Sequence, residues 1–134
     1  MSSQVLFVDD DPLLLASLGR CLQDRYDLET FESAQDALAH VESEGPAPVI
    51  VTDMRMPVMD GAQFVVKARE IAPQTQFLML TGTPNDKQLV CRQYGDIVRD
   101  YLNKPCSPVQ LTEAIDKALE AYADSTSEES GVPV

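Results

Sequence analysis

The amino-acid sequence predicts an α/β domain: a five-stranded parallel sheet with helices on both faces. Two patterns carry that prediction. Short apolar runs recur at VLFV (5–8), YDLETF (26–31), VIVT (49–52), FLMLT (77–81) and IVRDYL (97–102). Between them, and after the last, apolar residues repeat at helical spacing, and strand alternating with helix calls for a parallel sheet covered on both sides. The chain has 134 residues, 44% of them hydrophobic, which suits one domain with a real core and is too short for two.

Each element has a local reason. In the first helix, over 12–24, Leu14, Leu15, Leu18 and Leu22 share one face, and Asp11-Pro12 reads as its start. The second, over 33–43, opens on a Ser33 cap and turns Ala34, Ala37, Leu38 and Val41 inward. Asp60-Gly61 signals a turn and the start of the third, over 61–71, with Phe64, Val65, Ala68 and Ile71. The fourth, over 85–94, is weaker and rests on Leu89 and Val90. In the last, over 107–122, Ser107 caps, Pro108 sits in the first turn, and Leu111, Ala114, Ile115, Ala118, Leu119 and Tyr122 form the apolar face. Residues 1–122 thus form the domain. Residues 123–134, ADSTSEESGVPV, are small and polar with no apolar face, and read as a disordered tail or a linker.

The formal net charge is −12 and the sequence pI about 4.2. A chain this acidic lacks the Lys and Arg that nucleic acid or an anionic membrane surface would require. Cys21, Cys91 and Cys106 are odd in number and form no CxxC pair, which points to reduced thiols and a cytoplasmic setting. No basic leader is visible and no apolar run approaches the ~20 residues of a membrane span. Cys21 and Cys91 read as helix-packing residues, His40 as a solvated helix residue, and Met54, Met56 and Met59 as loop packing.

The chemistry sits at the strand ends. Asp9, Asp10 and Asp11 follow the first strand, Asp53 the third, Thr81 the fourth and Lys104 the fifth. Parallel strands bring these ends to one rim, where such sheets bind ligands. Carboxylates about 4 Å apart repel by roughly 4 kcal/mol at an effective dielectric of 20. A hard divalent cation relieves that repulsion, and Mg²⁺ prefers one or two carboxylates plus water and phosphate oxygens. A carboxylate beside Mg²⁺, with Lys and a hydroxyl to hold equatorial oxygens, is equipped to attack phosphorus.

These residues carry a resemblance. VDDDP, TDMRMPVMDG, LTGT and DYLNKP occur in order at compatible spacing, and about residues 3–122 resemble the receiver domain of bacterial two-component response regulators. The resemblance implies a (βα)5 flavodoxin-like, doubly wound fold. It implies that Asp53 is the phosphoacceptor. Asp10 would bind Mg²⁺ directly, Asp9 through water, and Asp53 and the backbone carbonyl of Arg55 would complete the protein ligands. Thr81 and Lys104 would hold phosphoryl oxygens, Thr81 and Tyr101 would act as the switch, and the Lys104–Pro105 bond would be cis. The phosphoryl donor would be a sensor histidine kinase or phosphotransfer protein. The fourth helix, fifth strand and last helix would form the surface that controls an output domain or partner, or a phosphorylation-dependent dimer. The domain would not be an enzyme, beyond assisting its own phosphorylation and dephosphorylation. Gly82 and Cys106 depart from residues common in the family, and Arg55 and Thr83 stand where members tune dephosphorylation. The stretch from LTGTPNDKQLV to DYLNKPC is similar to receivers that precede HD-type phosphodiesterase domains.

Two other readings fit part of the pattern. Asp9 and Asp11 satisfy the D-x-D of haloacid-dehalogenase-like phosphatases, with Asp9 as nucleophile and Asp11 as general acid. A degenerate receiver would serve only as a binding module.

Overall fold

The structure, a computed structural model, describes residues 4–82, 88, 92, 95, 97–104 and 106–129. The elements are β1 (Gln4–Val8), α1 (Pro12–Leu22), β2 (Asp27–Phe31), α2 (Ala34–Glu44), β3 (Val49–Asp53), α3 (Gly61–Ile71), β4 (Gln76–Thr81), β5 (Val98–Asn103) and α4 (Pro108–Glu129). All five strands are parallel, in the order β2-β1-β3-β4-β5. The predicted fold class therefore holds, as a flavodoxin-like sheet.

Alternation along the strands splits the core in two. Val5, Phe7, Val49, Val51, Leu78 and Leu80 face α1 and α4, where Leu15, Leu18, Leu22, Leu111 and Ile115 meet them. Leu6, Val8, Ile50, Phe77 and Met79 face the other way, against Ala37, Val41, Phe64, Val65 and Ala68 of α2 and α3. Because both faces are covered, the central strands read as continuous apolar runs. Caps fix the helix starts. Asp11 Oδ1 accepts from Leu13 N and Leu14 N at 3.0 and 3.4 Å, Ser33 Oγ from Asp36 N at 3.1 Å, and Asp60 and Gln63 form a capping box.

Winding positions the site. The chain runs from β1 to β2 on one side, then crosses to β3 on the other, which opens a crevice at the carboxyl ends of β1 and β3. Val8 pairs with Thr52, so Asp9 and Asp53 leave the sheet side by side. Thr81 pairs with Asn103, and Lys104 N–H donates to Thr81 O at 2.8 Å.

The structure departs from the sequence reading in several places. Helix α1 stops at Leu22, where Arg25 N and Tyr26 N both turn back to Leu22 O. Ile71 is 40% exposed at the end of α3, not inward. Helix α4 runs to Glu129, so the expected tail is helical over 123–129. No Gly or Pro stands between Pro108 and Gly131, so no residue there removes a backbone donor or breaks the helix. Most of the predicted helix over 85–94, with Cys91, Thr83 and the Lys104–Pro105 bond, lies outside the described residues. Among the described residues no helix is long and apolar enough to cross a membrane.

Gly61 does more than start a helix. Its N–H donates to Met54 O at 2.8 Å, and a Cβ there would run into the Asp53 carbonyl oxygen. Backbone packed this closely leaves no room to relax. Gly61→Ala is expected to destabilise the fold by about 2–3 kcal/mol, as overpacking does, read as a lower urea midpoint at unchanged slope. An unchanged midpoint would show that the loop yields freely.

Candidate functional site

Lys104 joins the two buried acids. Its Nζ lies 2.8 Å from Asp9 Oδ2 and 3.1 Å from Asp53 Oδ2. Asp9 is 2% exposed and Asp53 6%, so these are ion pairs formed largely away from water. Asp9 Oδ1 accepts the Asp11 backbone N–H at 2.9 Å, which orients its carboxylate. Asp10 is exposed, yet carboxylate oxygens of Asp9, Asp10 and Asp53 all lie within 4.8 Å of one another. Three hard oxygen donors so spaced fit a small divalent cation, the donor set that suits Mg²⁺.

The charge balance is strained. Burial, followed by the Asp9 charge, raises the Asp53 pKa above its ordinary 3.8, against the lowering effect of Lys104 and of the Arg55 backbone N–H. For Lys104, burial works to lower the pKa, but the hydrogen bond to Asp9 and the charges of Asp53 and Asp9 prevail and raise it above 10.5. Lysine therefore stays an ammonium, and one ammonium faces three carboxyl groups.

Thr81 completes the rim. It is fully buried, and among the described residues its Oγ1 has no hydrogen-bond partner. An unsatisfied buried hydroxyl costs about 1–3 kcal/mol, which a ligand oxygen would recover. Tyr101, on β5, is half-buried and packs on the α2–α3 side of the core.

The loop carrying Asp53 is tied at each end. Met54 N donates to Leu80 O at 3.0 Å and Gly61 N to Met54 O at 2.8 Å. Between them Val58 has φ 71°, and Met59 N closes back on Pro57 O at 2.8 Å. This is a γ-turn centred on a β-branched residue, strain of about 1–3 kcal/mol, with the Val58 side chain 85% exposed at the rim.

Asp9, Asp10, Asp53, Thr81 and Lys104 thus share one rim, as the sequence predicts. Asp11 does not: it is exposed and occupied as the cap of α1, which removes the general acid of the phosphatase reading. Two further readings are corrected, those of Cys21 and His40. Cys21 is exposed. His40 is half-buried with its ring 5.1 Å from that of Phe31, because a helix face over an edge strand shelters it from water. Cys106 packs against the α1–α4 side of the core, and burial pushes its thiol pKa up. Gly61 and Val58 were not legible as site residues, since their effect lies in backbone geometry.

A doubly wound sheet with acids and a lysine at its carboxyl edge is the arrangement of the receiver domains of signalling proteins, which generally bind Mg²⁺ at an acidic pocket and interact with histidine kinases and output domains. Residues 5–116 match the response regulator receiver domain family, and the chain belongs to it. It is 34% identical over 128 residues to the transcriptional regulatory protein GlrR of Escherichia coli (strain K12), a match covering 94% of this chain and 28% of GlrR. Among solved structures it is similar to an adenylate cyclase from Rhodopirellula baltica, at 37% identity and TM-score 0.90, covering 97% of this chain and 96% of that one. It is also similar to the signal receiver domain of an HD domain-containing protein from Pseudomonas fluorescens Pf-5, at 25% identity and TM-score 0.84, covering 94% and 93%.

A carboxyl whose pKa is raised by folding opposes stability once ionised: the native state holds its proton longer, so stability falls as pH rises from 3.8 through the raised value. Asp53→Asn removes that opposition while Lys104 keeps Asp9. The variant is expected to be more stable than the parent at pH 7, with the gap closing as pH falls toward 3.8. Denaturant melts across pH check this, and an Asn variant no more stable at pH 7 would contradict it.

Proposed function

We propose that this chain accepts a phosphoryl group on Asp53 from a phosphohistidine of a sensor histidine kinase or phosphotransfer protein. The observation that carries the reading is the Lys104 ammonium within 2.8 and 3.1 Å of the two buried carboxylates. A buried acid next to a fixed cation is poised to act on an anionic reactant.

An Asp53 oxygen attacks phosphorus in line. The P–O bond forms as the P–N bond breaks, and the electron pair departs on the imidazole nitrogen. Lys104 shifts its charge toward the incoming phosphoryl oxygens. The Thr81 hydroxyl, without a partner among the described residues, donates to another of them. Asp9, Asp10, Asp53 and the Arg55 carbonyl would hold Mg²⁺, which when bound neutralises phosphoryl charge. Asp53 and the backbone beside Gly61 stay fixed, so the attacking oxygen is already placed.

Recruiting Thr81 is the switch in this reading. Thr81 lies on β4 beside β5, and its movement bears on Tyr101 across the same pair of strands. The reading makes the protein a cytoplasmic signalling module and not an enzyme, with residues 1–122 as the receiver. The surface of the helix expected over 85–94, β5 and α4 would govern an output domain, partner or phosphorylation-dependent dimer.

Acetyl phosphate with Mg²⁺ is the test. Acid-stable mapping after reduction of the acyl phosphate should place the modification on Asp53, and Asp53→Asn should abolish it. Thr81→Ala should still be labelled. Label on Asp9, or steady turnover of a phosphate ester, would instead support the phosphatase reading.

A further inference from the structure

Far from the phosphoryl site, at the amino edge of the sheet, a second polar cluster joins the α1–β2 corner to the last helix. Tyr26 Oη donates to Asp116 Oδ1 at 2.6 Å. Arg25 Nη2 lies 2.9 Å from Asp116 Oδ2, and the guanidinium carbon sits 5.8 Å from the centre of the Tyr26 ring. Tyr26 is 4% exposed, and its backbone N–H is tied to Leu22 O at 3.2 Å. The clasp therefore has a rigid base. Burial, with the Asp116 hydrogen bond, raises the phenol pKa above 10.0, so it remains a donor.

Helix α4 is held differently along its length. Its head starts four residues after Lys104, and Ser107 Oγ caps it by accepting from Gln110 N at 3.2 Å. Between head and clasp it rests on the sheet through Leu111, Ala114 and Ile115, with Ala118 just beyond. Leu111 and Ile115 are fully closed to water, and with Leu119 they hold α4 by non-directional apolar contact, whereas the clasp holds it by directed bonds. After Ala118 no residue of α4 up to Asp124 is buried, while the helix continues to Glu129.

We propose that Arg25, Tyr26 and Asp116 form the fulcrum on which α4 turns when the phosphoryl site fills. The proposal rests on the phosphoacceptor reading of Asp53 and adds a route by which that site moves the helix. At 1.5 Å per residue, about 12 Å of helix lies between Pro108 and Asp116, and about 12 Å between Asp116 and Asp124. With arms of equal length, a displacement of the head by Lys104 appears at Asp124 at similar size and in the opposite sense. Arg25, Tyr26 and Asp116 are positioning residues in this scheme: none touches the site.

The test uses the full 134-residue chain with Cys21, Cys91 and Cys106 replaced by serine. Spin labels are placed at Glu42→Cys on α2 and Asp124→Cys on α4, both exposed positions. Distances are read with and without saturating Mg²⁺ and beryllium fluoride, and Asp53 labelling by acetyl phosphate is followed in parallel. The parent should show a shift in mean distance of about 1–2 Å, the size of interface helix shifts. Tyr26→Phe, which keeps the ring, and Asp116→Asn should each lose more than half of that shift while Asp53 labels within about twofold of the parent rate, the shared loss being what a fulcrum requires. A shift of full size in either variant overturns the fulcrum. So does a parent that labels on Asp53 without any shift. A parent that does not label on Asp53 overturns the phosphoacceptor reading first, and the fulcrum with it.

Discussion

The structure turns on one ammonium between two buried carboxylates. Asp9 and Asp53 leave adjacent strands side by side and are almost closed to water. Two charges so placed repel strongly in a medium less polar than water. Lys104, reaching across from the end of β5, meets both. It does not balance them fully, because Asp10 adds a third carboxyl at the solvent edge. The site is left short of positive charge, which is the condition for binding a divalent cation. In the proposed phosphoryl transfer the same lysine meets the incoming phosphoryl oxygens, so that the charge deficit and the proposed reactivity share one physical origin.

Topology creates that constraint. Only a crossing of the chain from β2 to β3 on opposite sides of β1 opens a crevice there, and only parallel strands deliver Asp9, Asp53, Thr81 and Lys104 to one edge. Around the crevice the backbone is fixed by bonds that serve no catalytic purpose themselves. Met54 to Leu80, Gly61 to Met54 and Lys104 to Thr81 hold the ends of β3, β4 and β5 in register. Val58 stores strain in the same loop and leaves its side chain in water. Rigidity at the rim matters because a reacting oxygen misplaced by about 1 Å loses much of its advantage.

Much of this was legible in the sequence, for definable reasons. Apolar runs such as VLFV and VIVT end on acids, and an acid at the end of a buried strand has few places to go. Ser33, Asp60 and Ser107 announce helix starts through short-range hydrogen bonds, which sequence encodes locally. Contacts across long separations were not visible. Tyr26 and Asp116 are 90 residues apart in the chain, and neither stands in a recognisable motif. The extension of α4 to Glu129 was also missed, because residues 123–129 carry no apolar periodicity in the sequence. The exposure of Cys21 and shelter of His40 depended on which side of an amphipathic helix the neighbouring strand happened to cover.

The charge balance is open to direct measurement. Carbon-detected NMR would follow the Asp53 carboxyl through a pH titration of the metal-free chain, then with saturating Mg²⁺, then in Lys104→Met. The account predicts a pKa above the ordinary 3.8 in the metal-free chain, a fall when Mg²⁺ is added and a further rise when the lysine is removed. A carboxyl that titrates at its ordinary value and responds to neither change would contradict it.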